Sequence, residues 1–261
     1  MPVSAEDTQQ IGLGILQRIA VREKARLHKE FLTRLYELPQ AQEMLICGSM
    51  ALHGVYLHKR WSKDLDFEAS TKVALGFQEI AAQAGLNITL REGWKGPHNS
   101  MTAVPYVFSS SSAFYPEVAI GVEIFPYEQR FVAAEHRAFT TEVGEQVMVI
   151  VKPLAEMMAA KIGCMFQRNK ATDFADLWFG LSSDRCLAFQ ARDLIRNGMC
   201  EAGNFTPPSV ISADYLLERL SRLQDTWQED LSVYLTQVPD FAQVRGDLSR
   251  WLPLFDTQSR K

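Results

Sequence analysis

No run of about 18 apolar residues occurs in the sequence, so no segment reads as a membrane-spanning helix. The apolar stretch from Ile11 to Ile15 is shorter and follows acidic rather than basic residues, unlike an export signal. The four cysteines, Cys47, Cys164, Cys186 and Cys200, have no C-x-x-C spacing, and three of them sit in apolar runs. These absences predict a cytoplasmic protein with reduced thiols and no membrane partner. His53, His58, His98 and His136 lack the H-x-x-x-H or Cys/His spacing of a zinc site, and His53 reads as a satisfied interior or surface histidine. Neither G-x-x-x-x-G-K-S/T nor G-x-G-x-x-G is present, which removes the P-loop and Rossmann readings. Excess positive charge is lacking too: the net charge of −4 exerts no global pull on nucleic acid.

What is present is ordinary globular composition, 47% hydrophobic and 22% charged over 261 residues, enough for one large domain or two modest ones. Charge is nonetheless uneven. Arg18, Arg22, Lys24, Arg26, Lys29 and Arg34 are opposed only by Glu23 and Glu30. Between them Leu27, Phe31, Leu32 and Leu35 recur at helical spacing, which predicts an amphipathic helix with one core face and one basic face. Such a face suits an anionic partner; a solvated face without a ligand is the plain alternative.

Downstream, Lys72 to Ala84 reads as a helix closed by Gly85. Asn87 to Arg91, Thr102 to Phe108 and Val118 to Phe125 read as strands, with Gly93, Gly96, Pro97 and the serines Ser109 to Ser112 in loops. His136 to Thr141 and Gln146 to Val151 read as a hairpin about Gly144. Beyond Pro153 the pattern turns helical: Leu154 to Phe166, Ala171 to Leu181, Cys186 to Asn197, Ser212 to Thr236 in one or two pieces, and Phe241 to Leu252. Breaks fall at Gly198 to Pro208 and at Pro239. The expected architecture is α+β, with a mixed β-sheet domain over 1–152 and a helical domain over 153–261 that completes a cleft.

Chemistry concentrates between residues 44 and 68. Met44-Leu45-Ile46-Cys47 reads as a buried strand, and Gly48-Ser49 stands where the next helix, about Met50 to His58, begins. A helix start offers free N–H groups and partial positive charge to a phosphate. On the following strand Asp64 and Asp66 point to one face and Leu65 and Phe67 to the other. Glu123, on a strand with the same alternation, could supply a third carboxylate as general base or metal ligand. Three hard-oxygen donors on neighbouring strands suit Mg²⁺-assisted phosphoryl or nucleotidyl transfer. Two acids on an exposed strand face are the plain alternative.

The segment from Cys47-Gly48-Ser49 through Trp61-Ser62-Lys63-Asp64-Leu65-Asp66-Phe67 resembles the first motif of AbiEii/AbiGii-type nucleotidyltransferases, toxins of bacterial toxin–antitoxin and phage-defence pairs within the DNA polymerase β-like superfamily. Lys161-Ile162 is similar to that family's helical lysine motif, and Arg168 to Leu177 resembles its basic, Asp-x-x-Asp helix start. The resemblance spans about residues 44 to 180. It implies that Ser49, with Gly48, contacts the triphosphate of an NTP, that Asp64 and Asp66 bind Mg²⁺ or Mn²⁺, that Lys161, with Arg168 and Lys170 of the basic helix start, steadies phosphates, and that Asp173 completes the catalytic set; Glu123 is the candidate third ligand from its own strand face. A surface lysine is the alternative for Lys161, an ordinary helix-start acid for Asp173, and a pair with Lys170 or Arg168 for Asp176.

Two positions depart from the family pattern. Gly121-Val122-Glu123 stands where Lys-x-Asp is usual, and Thr172 where a base is frequent. The implied activity is transfer of a nucleoside monophosphate to RNA, favouring the 3′ end of tRNA, by a toxin held in check by an antitoxin. A protein or small-molecule acceptor, or a weakened nucleotide- or partner-binding module, are the competing readings.

Overall fold

The computed structural model describes residues 5–60, 62, 64–91, 103–109, 118–127, 132–184, 186–197 and 211–256, with side chains of the first helix from residue 20 onward. Trp61, Lys63, Gly93, Gly96, Pro97, His98, Thr102, Ser110 to Ser112 and the break from Gly198 to Pro208, Cys200 included, lie outside them.

Helix α1 spans Ala5–Tyr36. A 3-10 turn, Pro39–Glu43, leads to strand β1, Leu45–Cys47, and into α2, Gly48–Ala51, which continues as a π-helical turn, Leu52–Leu57. The predicted helix from Met50 to His58 is therefore wider-wound than an α-helix, and His58 ends it in the left-handed region at φ 51°. Strand β2 is Asp64–Ser70. The next predicted helix is two: α3, Thr71–Leu75, and α4, Phe77–Gln83, which meet at Gly76. The Ser70 hydroxyl accepts from the Val73 amide and caps α3, while Gly85, at φ 66°, closes the α4 turn as expected.

Strands β3 (Ile88–Leu90), β4 (Val104–Phe108), β5 (Ile120–Tyr127), β6 (Glu135–Thr140) and β7 (Gln146–Val151) complete a seven-stranded mixed sheet in the order β3-β4-β5-β2-β1-β7-β6. The pairs β2/β5 and β1/β7 are parallel and the rest antiparallel. Helices α5 (Leu154–Gln167), α6 (Ala171–Ser183), α7 (Cys186–Arg196), α8 (Ala213–Ser221), α9 (Trp227–Ser232) and α10 (Phe241–Trp251) follow.

Alternation along β2 and β5 splits the sheet into two chemical faces. Leu65, Phe67, Val122 and Ile124 are fully buried on the back, while Asp64, Asp66, Gly121 and Glu123 are half-buried on the front. Helix α1 covers the back: Phe31 packs its ring against Phe67 and Phe108, at centroid distances of 6.0 and 5.2 Å. Its basic side chains are largely engaged. Arg26 meets Glu23 and Glu30, Arg34 meets Glu30 and the Gly85 carbonyl, and Lys29 meets Glu145. The basic helix therefore lies across the sheet from the carboxylates. Helix α5 covers part of the front, and buried apolar residues from Leu27 to Phe255 form one continuous core. Phe174 lies in that core with Trp178 and Phe179 packed against it. No helix among the described residues is long and apolar enough to cross a membrane.

Candidate active site

Strand β1 ends at Cys47, register partner of Asp66, and Asp66 in turn pairs with Glu123 of β5. Asp64 pairs with Gly121. One row across the front face thus carries the helix start, Asp66 and Glu123, and the neighbouring same-face row carries Asp64 beside Gly121. Gly48 adopts φ 66°, and a Cβ there would collide with Asp66 Oδ2, so both backbone and space require glycine. A Cβ at position 121 would collide with Asp64 Oδ1. Glycine there makes room for the Asp64 carboxylate over β5.

Asp66 leans toward Gly48 and Asp64 toward Gly121, so the two carboxylates are splayed. Burial, then Glu123 and Asp64, push the Asp66 carboxyl up to about 8. Burial and the Asp64 charge raise Glu123 as well. Among the described residues no three His, Cys, Asp or Glu side chains are already gathered as a metal-binding group. The donor set nevertheless has the chemistry a hard divalent cation requires: carboxylate oxygens on adjoining strands whose mutual repulsion such an ion relieves.

A cationic wall faces the acids. Along α5, Met157, Lys161 and Cys164 follow at helical spacing on the side turned to the sheet, with Arg168 just beyond its end. Lys161, only 6% exposed, donates to Ser49 Oγ at 3.1 Å, to Asp173 Oδ1 at 3.0 Å and lies 2.8 Å from Asp176 Oδ2. Arg168 clasps Asp173 through Nε at 2.8 Å and Nη2 at 3.0 Å. Arg60 clasps Asp176 through Nε at 2.8 Å and Nη2 at 2.7 Å, and its Nη2 also donates to Ser49 Oγ at 2.8 Å. His53 Nε2 donates to Asp176 Oδ1 at 2.8 Å. Burial disfavours their charged forms, yet Lys161, Arg60 and Arg168 hold Asp173 below the usual carboxylate range and Asp176 well below it. Both acids raise Lys161 against the same burial penalty.

The profile of one family, described as the nucleotidyl transferase AbiEii toxin of type IV toxin–antitoxin systems, matches residues 30–257. The chain belongs to the AbiEii family. It is accordingly a nucleotidyltransferase toxin of a type IV toxin–antitoxin system, and its fold recurs in solved structures. JHP933 from Helicobacter pylori matches at a TM-score of 0.50 and 19% identity, over 91% of this chain and 92% of that one. MenT4, the nucleotidyltransferase toxin Rv2826c from Mycobacterium tuberculosis H37Rv, matches at a TM-score of 0.55 and 18% identity, over 94% and 92%. At such identities the likeness concerns the fold. No curated protein matches the sequence.

In this AbiEii-family chain Ser49, Asp64, Asp66, Glu123, Arg168 and Lys170 all line one polar cleft, together with Arg60, Ser62, Thr172 and Tyr234. Gly48 and Lys161 line an adjoining chamber that shares Ser49, Asp66, Glu123 and Arg168. Asp173 is fully buried behind Lys161 and Arg168. The surface reading of Lys161 does not hold, and Asp176 pairs with Arg60, Lys161 and His53 rather than with Lys170 or Arg168. His53 is an interior histidine: its Nε2 hydrogen goes to Asp176, while Nδ1 is buried without a partner among the described residues. Sequence reasoning missed Arg60. The available signal was Asp176 itself, an acid between Ala175 and Leu177 that has to find a countercharge once its helix is buried.

Proposed function

We propose that this toxin transfers a nucleoside monophosphate from an NTP to a hydroxyl of RNA, favouring the 3′ end of tRNA, with release of pyrophosphate. The observation that supports it best is the set Ser49, Asp66, Glu123 and Asp64 lining a cleft together with Arg60, Arg168 and Lys170. Phosphates fit the wall and the helix start. Ser49 Oγ accepts from Arg60 and Lys161, so its own hydrogen can turn from Asp176 to a phosphate oxygen. Glu123, raised by burial and by Asp64, is suited to accept the proton of the attacking hydroxyl. Asp64, Asp66 and Glu123 would hold Mg²⁺ or Mn²⁺, which when bound supplies charge neutralisation to the transferring phosphate. Residues 153–261 serve as the helical unit that closes the cleft. An antitoxin restrains the resulting growth arrest.

The test is incubation with each labelled NTP and separated tRNA, protein and small-molecule fractions. Label is expected in tRNA and to be lost in the Asp64→Ala/Asp66→Ala variant. Label confined to protein or small molecules moves the acceptor; label in no fraction, or persisting in the variant, defeats the transferase reading.

A further inference from the structure

Next to the polar cleft the front face holds a second chamber of different character. Its floor is sheet, with Glu68 and Phe125 as register partners and Lys152 just past β7; its roof is the α5 side bearing Met157, Ala160 and Cys164. At about 130 Å³ it is well below the roughly 300 Å³ from which pockets take a whole drug-sized ligand, so it suits one flat ring beside a larger molecule held elsewhere. Apolar walls and a half-buried aromatic suit stacking. Polar groups sit at two places, the side shared with the cleft through Ser49, Asp66, Glu123 and Arg168, and the part lined by Glu68 and Lys152. Lys152, 2% exposed, donates to Glu68 Oε1 at 2.6 Å and lies 3.1 Å from Glu156 Oε1. Of those two acids Glu68 lines the chamber. Among the described residues its hydrogen bond uses Oε1, which leaves Oε2 as an acceptor.

We infer that this chamber receives a nucleobase bearing an exocyclic amino group, which donates to Glu68 while the ring lies between Phe125 and the α5 roof. The inference rests on the nucleotidyl-transfer reading for why a nucleotide reaches the cleft. A carboxylate accepts only, so the amino group of cytosine, adenine or guanine satisfies it. The uracil carbonyl at the equivalent position opposes it. The base comes from one of two sources, the incoming NTP or the terminal nucleotide of the acceptor, and both reach Asp66, which the chamber shares with the polar cleft.

Cytosine and uracil form the matched pair that tests this, being of one size and differing at the amino group. In equilibrium binding to the full chain, and in transfer, CTP is compared with UTP; separately, RNAs ending in cytidine are compared with RNAs ending in uridine. The wild-type protein is expected to favour cytosine by about tenfold in one arm, the loss of a hydrogen bond to a charged group. Glu68→Gln places an amide at the same point and is expected to bring that ratio near one. Collapse in the nucleotide arm assigns the chamber to the incoming base; collapse in the RNA arm assigns it to the acceptor. Ala160→Leu fills the chamber without touching the ion pair, and decides the matter where Glu68→Gln melts below the assay temperature. It is expected to weaken the favoured cytosine ligand while leaving inorganic tripolyphosphate binding unchanged. A wild-type protein indifferent to cytosine and uracil in both arms, or a preference that survives both substitutions, overturns the inference. If no label is transferred yet the CTP preference in binding still collapses, the transferase reading fails and the chamber stands.

Discussion

Asp66 is the residue at which function works against folding. Its carboxyl, pushed up to about 8 from an ordinary 3.8, holds a proton that the unfolded chain has released. Its stabilising contribution is therefore full below pH 3.8 and lost as pH rises through about 8. Asp66→Asn, which cannot ionise, is expected to lose less melting temperature than the wild type between pH 6 and pH 9 when no divalent cation is present. Equal losses in the two proteins would remove Asp66 as the source. At Gly121 the expected outcome is set by space: Gly121→Ala displaces the Asp64 carboxylate, and a displacement of an ångström at a reacting centre costs on the order of a hundredfold in kcat/KM. A thermal melt within a few degrees of wild type, with transfer lost, identifies that cause. Asp64, Asp66 and Glu123 were legible as same-face acids because a strand's period of two is written into Leu65, Phe67, Val122 and Ile124. The space at Gly121 was not. It depends on which strand lies beside β2, and that lateral order is a long-range property of the fold.

At the level of elements, α6 is held to the sheet by charge. Asp176 reaches the segment before β2 through Arg60 and α5 through Lys161, while Asp173 ties α6 to Lys161 and Arg168. Arg60→Met leaves the buried Asp176 short of its bidentate partner, and removal of one member of a buried pair costs about 3–5 kcal/mol. A urea titration should show that loss, and the double variant Arg60→Met/Asp176→Asn should recover part of it by discharging the orphaned acid. A double variant no more stable than the single one contradicts a charge-based tie. The helices from Leu154 to Leu252 were readable from apolar spacing and from the prolines between them. Gly76, which divides α3 from α4, and the π-helical turn after α2 were not anticipated. A tightly packed neighbour accompanies the latter: a Cβ at Gly54 would collide with the Phe139 ring on β6. The Arg60–Asp176 contact, 116 residues apart in the chain, carries no local signature at all.

Over the whole molecule the sheet acts as a partition, with α1 on one side and the acids, Ser49 and the cationic wall on the other. Neutralising Arg22 and Lys24, on the helix that covers the back, is expected to change transfer to RNA by less than about twofold. Neutralising Lys170, which lines the cleft, is expected to weaken RNA or nucleotide binding and to flatten its dependence on salt. Equal salt slopes for the two variants would show that the acceptor wraps around both faces. The ion pairs within the cleft have a consequence for which anions the toxin responds to. Arg60, Lys161 and Arg168 are already occupied by Asp173 and Asp176, so a phosphate enters by exchange with resident carboxylates rather than by capture on bare cations. Exchange favours a ligand that brings several negative charges at once. Triphosphates are expected to displace the internal anions more readily than monophosphates or chloride, so the toxin rests as a self-occupied site tuned to charge density.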